Sequence, residues 1–260
     1  MRFTLALALA VFLSFPASAQ TVSDKAFIDN AKKAVSLLYS QDSSGTMNMR
    51  CTATAFSHIK DSYLFVTAAH CIGPDRGDEN TPRSADPSKT IFFVTFDETK
   101  EKRFWRADPR WIGLQHRGED FAVFEVKSIE TWPTIGLGNE HELTDGAEYF
   151  NLASPLGLGV QVFTGSISSM SLERPLIEGD INWSGSLVLQ QAGVNGGSSG
   201  SALISKETRK IVGFLVGVIG GSSIIGIPVS RFLSVQGAVE QGKYKYWQPD
   251  SNLNPDGTRK

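Results

Sequence analysis

Two cysteines are all that the 260 residues contain. That is too few for a structural zinc centre of the four-ligand kind. Histidine is scarce as well, with four residues and no metal-ligand spacing among them, so neither a metal nor any other cofactor is expected. Basic residues are not in excess: 25 Lys and Arg face 27 Asp and Glu, and the formal net charge is −2. No basic stripe interrupts this balance, which excludes nucleic acid as a partner, because phosphate neutralisation needs clustered cations. Long apolar runs are missing except at the start, from Leu5 to Phe15. Such a run is too short to cross ~30 Å of hydrocarbon as a helix. With Arg2 before it, and Pro16 and Ala17-Ser18-Ala19 behind it, it has the pattern of a signal peptide cleaved after Ala19. No membrane span is expected later in the chain. The mature protein is expected to begin at Gln20 and to be secreted or periplasmic, where Cys51 and Cys71 form a disulfide by default.

Glycine is plentiful, at 25 residues, and it falls between short apolar runs. These runs are Thr52–Phe56, Tyr63–Thr67, Ile91–Phe96, Phe121–Val126, Glu148–Leu152, Val160–Met170, Leu187–Gln190, Ser201–Ile204, Ile211–Val218 and Ile224–Pro228. Many short strands without a long periodic helix predict an all-β barrel or sandwich. Residues 20–33 form a separate N-terminal segment. Across Asp24 to Tyr39 a helical face (Phe27, Ile28, Ala31, Val35, Leu38) competes with a strand beginning near Ala34. Glu130 to Asp145 lacks a strand pattern and could join two halves. A short closing helix is expected with Ser230 as N-cap and Phe232, Leu233 and Val239 facing inward, followed by a polar tail over 243–260.

Three segments carry chemistry. Thr67-Ala68-Ala69-His70-Cys71 closes an apolar strand, and its small residues let the imidazole reach a cleft. Gly196-Gly197-Ser198-Ser199-Gly200 enters the apolar strand Ala202-Leu203-Ile204. Alone it also fits a flexible loop, but a nucleophilic serine needs such a tight turn, with its amides directed at a developing oxyanion. Between the two lie Asp86, Asp97, Asp108 and Asp120, of which only Asp120 opens an apolar strand, Phe121-Ala122-Val123-Phe124.

These segments resemble the catalytic motifs of chymotrypsin-like serine proteases. The histidine pentapeptide matches almost letter for letter, the Ser199 segment resembles Gly-X-Ser-Gly-X-X-Leu, and the order His, Asp, Ser is the chymotrypsin order. The resemblance implies two six-stranded antiparallel barrels, about 34–130 and 145–230, within a protease domain spanning 34–242. It implies a triad of His70, Asp120 and Ser199, an oxyanion hole from the amides of Gly197 and Ser199, and a disulfide from Cys51 to Cys71. Ala153 to Gly159, Val162 to Ser168 and Gly226 to Ser230 resemble bacterial Deg/HtrA-type protease domains. Only a short stretch follows Gly242, so no PDZ domain is expected. Ser198 stands where trypsin-like enzymes place the Asp that receives a new N-terminus, so activation by that ion pair is not expected. By the same resemblance Gly193, Val194, Val216, Gly217, Val218 and Ile225 line an uncharged substrate pocket suited to small or medium apolar residues. The implied activity is a serine endopeptidase acting on polypeptides. The alternatives are a catalytically silent binding module of the same fold, or an esterase using the same triad.

Overall fold

A computed structural model describes residues 23–42, 44–72, 90–96, 103–171, 177–178, 181–219 and 223–243. The expected signal peptide, and the polar tail beyond Lys243, lie outside the described residues. Helix α1 (Asp24–Ala31) is capped by the Ser23 hydroxyl, which accepts from the Ala26 amide, and carries Asp24 in its first turn. The helical face read through Val35 and Leu38 is cut short. After a single 3₁₀ turn (Lys32–Ala34) the chain becomes strand β1 (Val35–Gln41), with residues from Val35 to Tyr39 buried. Pairing on both sides, to residues 47–54 and to residues 91–95, overrides the local helical period.

The first barrel continues with β2 (Met47–Ile59), β3 (Ser62–Thr67), β4 (Ile91–Thr95), β5 (Trp105–Ile112) and β6 (Ala122–Lys127). It closes in the order β1-β2-β3-β6-β5-β4. The second barrel begins with β7 (Glu148–Ala153) and β8 (Gln161–Ser169). A two-stranded ribbon, β9 (Ile177–Glu178) and β10 (Ile181–Asn182), stands apart from it. The barrel is completed by β11 (Leu187–Gln191), β12 (Ala202–Ser205), β13 (Ile211–Ile219) and β14 (Ser223–Pro228), closing as β11-β14-β13-β12-β7-β8. Two closed six-stranded antiparallel barrels and a C-terminal helix make this the chymotrypsin-like fold.

Strand β5 has no counterpart in the sequence reading. Its outward residues Arg106, Asp108 and Arg110 are exposed, and Pro109 sits where its register with β6 shifts. A proline can be tolerated at such an irregularity, although from sequence alone it argues against a strand.

Helix α2 (Val229–Glu240) starts two residues earlier than expected. Pro228 is the N-cap and offers no side-chain hydrogen bond, while Ser230 lies inside the first turn. Leu233 is 39% exposed, contrary to its expected inward position, whereas Phe232 is fully buried. The reason is packing: the Phe232 ring sits 5.3–5.5 Å from the rings of Phe56, Trp111, Phe121 and Phe214. The first three belong to the first barrel's half of the chain and Phe214 to the second, so one side chain joins the two halves. Burying such a ring contributes about 1.5–3 kcal/mol. Among the described residues no helix is long and apolar enough to cross a membrane.

Candidate active site

Antiparallel pairing of β3 with β6 sets Thr67 opposite Ala122, so the end of β3 and the beginning of β6 share one barrel edge. His70 lies three residues past Thr67, in a 3₁₀ turn (Ala69–Cys71), and Asp120 lies two residues before Ala122. They meet there at two points. The His70 amide donates to Asp120 Oδ1 at 2.9 Å, and His70 Nδ1 lies 2.7 Å from Asp120 Oδ2. Asp120 is 1% exposed, whereas the His70 side chain is 27% exposed. Burial alone raises the Asp120 pKa. The charge that His70 carries when protonated and the hydrogen bonds from His70 and Gln115 outweigh that, and hold the carboxyl below its ordinary value.

Cys71, next to His70, is disulfide-bonded to Cys51 on β2. Both sulfurs are committed to that bond, so although Cys51, His70 and Cys71 bring donor atoms within 4.8 Å of one another, no thiolate is on offer to a metal. The disulfide closes a loop of sequence separation 20. Chain entropy values such a closure at roughly 3 kcal/mol, or about 6–12 °C in melting temperature for a domain of this size. Reduction should therefore lower the melting temperature by that amount, and also activity, because the bond anchors the turn bearing His70. Calorimetry with and without reductant measures the first effect; two reactive thiols in the native protein kept free of reductant would contradict the pairing.

Ser199 sits in the turn between β11 and β12. Gly197 has φ +93°, and a Cβ there would meet Ser154 O at 2.7 Å. Gly200 has φ +80°, and a Cβ would lie 2.4 Å from Thr67 Oγ1 and 2.5 Å from Ala68 N. Neither position admits a side chain. The second contact also places the residue after Ser199 directly against the strand end that leads to His70. Thr52, on β2, clamps the turn from the first barrel: its amide donates to Ser199 O at 3.1 Å, and its hydroxyl donates to Gly197 O at 2.8 Å while accepting from Ser154 N at 2.9 Å. From the second barrel, Gly200 N donates to Leu215 O at 2.7 Å. Ser199 Oγ donates to Val216 O at 3.1 Å. Among the described residues the amides of Gly197 and Ser199 donate to no group of the fold. Ser198 is buried and tied locally, its Oγ accepting from Asn195 N at 3.4 Å.

The residues expected to line a substrate pocket fall into two groups. Val216 and Ile225 are buried in the large cluster that also holds Phe214 and Phe232, whereas Val194 packs against the smaller cluster of the second barrel. Gly217 is half-buried, Val218 is 44% exposed, and Gly193 lies against the ring of Phe163, on which a Cβ would close to 2.5 Å. Phe163 was not singled out by sequence. Nor was a buried polar chain behind the nucleophile turn: Gln191 Nε2 donates to Asn151 Oδ1 at 3.0 Å, and Asn151 Nδ2 donates to Ser201 Oγ at 2.7 Å. Thr52 and Gln115, polar residues in unremarkable sequence, complete what the motifs did not reveal.

Residues 51–214 match the trypsin-like peptidase domain family. Serine protease PepD of Mycobacterium tuberculosis is 32% identical over 111 residues, 41% of this chain and 22% of PepD, so the match spans about a fifth of that relative. Among solved structures, the HtrA-type protease AlgW with a decapeptide superposes with a TM-score of 0.63 at 17% identity, over 85% of this chain and 69% of AlgW. AlgW with a tripeptide gives a TM-score of 0.60 at 19% identity, over 83% and 63%. At these identities the structural likeness speaks for the fold.

Proposed function

Since this chain belongs to the trypsin-like peptidase family, we propose that it is a serine endopeptidase using Ser199, His70 and Asp120. The observation that carries the reading is the two-point contact of His70 with the buried Asp120, at the barrel edge against which the residue after Ser199 is packed. The carboxylate accepts a hydrogen bond from the Nδ1–H, which fixes that tautomer and leaves Nε2 unprotonated as the base. The Ser199 hydroxyl, now directed at Val216 O, must give its proton to Nε2 as Oγ attacks the substrate carbonyl carbon. The C=O electrons move onto the carbonyl oxygen, which the Gly197 and Ser199 amides, without an acceptor among the described residues, are proposed to receive. Collapse expels the amine, protonated by His70, and leaves an acyl group on Oγ. Water, deprotonated by His70, then releases the acid. Labelling of purified protein by a fluorophosphonate, together with cleavage of β-casein, tests this reading. A protein that is folded yet unlabelled would point to a silent binding module instead.

The substrates are proposed to be polypeptides, in keeping with the peptides bound in the AlgW structures. Val216 and the exposed Val218 carry no charge, and the Phe163 ring takes up space beside Gly193. Cleavage is therefore expected after small or medium apolar residues. The preference should be graded, since one methylene in an apolar pocket is worth only about 1–3 kcal/mol. Sequencing the ends of β-casein fragments checks this, and strict cleavage after Lys, Arg or Glu would overturn it. A disulfide beside the site fits the proposed export to the periplasm or beyond, where such bonds persist.

A further inference from the structure

Asp120 has a partner that the reaction as described does not use. Gln115 Nε2 lies 3.2 Å from Asp120 Oδ1, and the Gln115 side chain is itself buried, with the residue 6% exposed. A carboxylate oxygen only accepts, so the nitrogen of the Gln115 amide must be the atom that faces it. The loop holding both residues is tightly built. A 3₁₀ turn (Gln115–Arg117) follows Leu114, and Gly118 turns the chain back at φ +72°. Glu119 N donates to Leu114 O at 3.0 Å, and Leu114 N donates to a Glu119 side-chain oxygen at 3.2 Å. Gly113 permits this closure, because a Cβ there would collide with Glu119 O at 2.0 Å. Helix α2 supports the loop from outside, where Arg231 donates to Gly118 O at 2.9 Å and to Ser184 O at 2.7 Å.

We infer that Gln115 is a positioning residue: it pins Asp120 Oδ1, together with the His70 amide, and so reserves Oδ2 for the Nδ1 proton of His70. The inference rests on the protease reading for its consequence in catalysis, though not for the geometry itself. A carboxylate held by one oxygen at a single donor can swing about its Cβ–Cγ bond. With two donors converging on Oδ1 from the histidine turn and from its own loop, that swing is blocked and Oδ2 stays on the ring nitrogen. His70 faces Asp120 directly, the Leu114 amide donates to Glu119, and Arg231 donates to the backbone carbonyl of Gly118 and acts on Glu119 through its charge.

The test replaces the donor by an apolar side chain of similar length, Gln115→Leu, in the full exported chain, with Gln115→Ala as a second variant should the first disturb packing. Two measurements are made on each. The first is the rate of fluorophosphonate inactivation against pH. It should fall about 10- to 100-fold, the scale of a hydrogen bond to a charged group. Its acid limb should move to lower pH, since a carboxylate that turns away no longer favours the charged imidazolium. The second is the far-downfield proton resonance of His70 Nδ1–H, assigned by its loss in Asp120→Ala. It should shift upfield and broaden in both Gln115 variants. An unmoved resonance and acid limb, even with a lowered melting temperature, would reduce Gln115 to a packing role and overturn the inference. So would an acid limb moving to higher pH. The resonance also separates this inference from the protease reading. If the native protein does not react with fluorophosphonate but the Nδ1 signal responds to Gln115, the positioning stands and the protease reading falls.

Discussion

Ser199→Ala is expected to lower turnover by roughly 10⁶ while leaving the circular dichroism and melting temperature unchanged. The turn is shaped by Gly197 and Gly200 and held by Thr52 and Leu215 through backbone atoms, none of which the substitution touches. Among the described residues the only hydrogen bond lost is the one from Ser199 Oγ to Val216 O. His70→Ala should be as inactive, and the double variant no worse, because groups that act as one unit do not add. Neighbouring serines separate this from a loop effect. Ser198→Ala removes one long local contact to Asn195 and should retain most activity. Ser201→Ala removes a partner of Asn151 and should register first in stability. Steady-state kinetics on the five variants decides the matter. An inactive Ser198→Ala beside an active Ser199→Ala would move the nucleophile by one position, and activity in every variant would remove the enzyme altogether.

Asp120→Asn should cost roughly 10⁴ in turnover with little change of shape. The hydrogen bonds dictate why. Oδ1 receives both the His70 amide and Gln115, so an asparagine must turn its oxygen there and present its NH₂ to His70 Nδ1. Nδ1 then becomes the acceptor, the ring proton moves to Nε2, and the base facing Ser199 is gone. The same residue sets an acid dependence of stability. Its folded pKa is depressed, so its contribution is complete above the unfolded value, about 3.9, and is lost as pH falls through the lower folded value. The gap in melting temperature between the native protein and Asp120→Asn should therefore narrow below about pH 4, as protonation removes what the carboxylate supplies. A gap that stays constant from neutral to strongly acidic pH would show that the charge of Asp120 does not stabilise the fold.

Legibility in the sequence followed the locality of each feature. The histidine pentapeptide and the glycine frame around Ser199 could be read because each requirement lies within a few residues. A positive φ at Gly197 and Gly200 leaves a glycine behind whatever the rest of the chain does. Most strands were legible for the same reason, as short apolar runs between turns. Strand β5 was not, because Pro109 and three charged residues mask a pattern that exists only once β6 lies beside it. Strand β1 is similar: Val35 and Leu38 suit a helical face, and partners on both edges make them extended.

The amino-acid order alone determined the all-β class, the disulfide-capable pair and the three residues proposed for the chemistry, since each announces itself through its neighbours in the chain. Only the tertiary structure decided what holds those residues in place. Thr52 spans 145 positions to reach Gly197, Asn151 spans 50 to reach Ser201, and Phe232 gathers rings from both halves of the chain. Of the residues expected in the pocket, Val216 and Ile225 went into the large cluster, Val194 packs against the smaller one, and Val218 is left exposed. A polar or aromatic side chain in a strand has many possible partners. Which one it meets depends on barrel closure and strand register, set by the burial of the whole core rather than by any local run of residues.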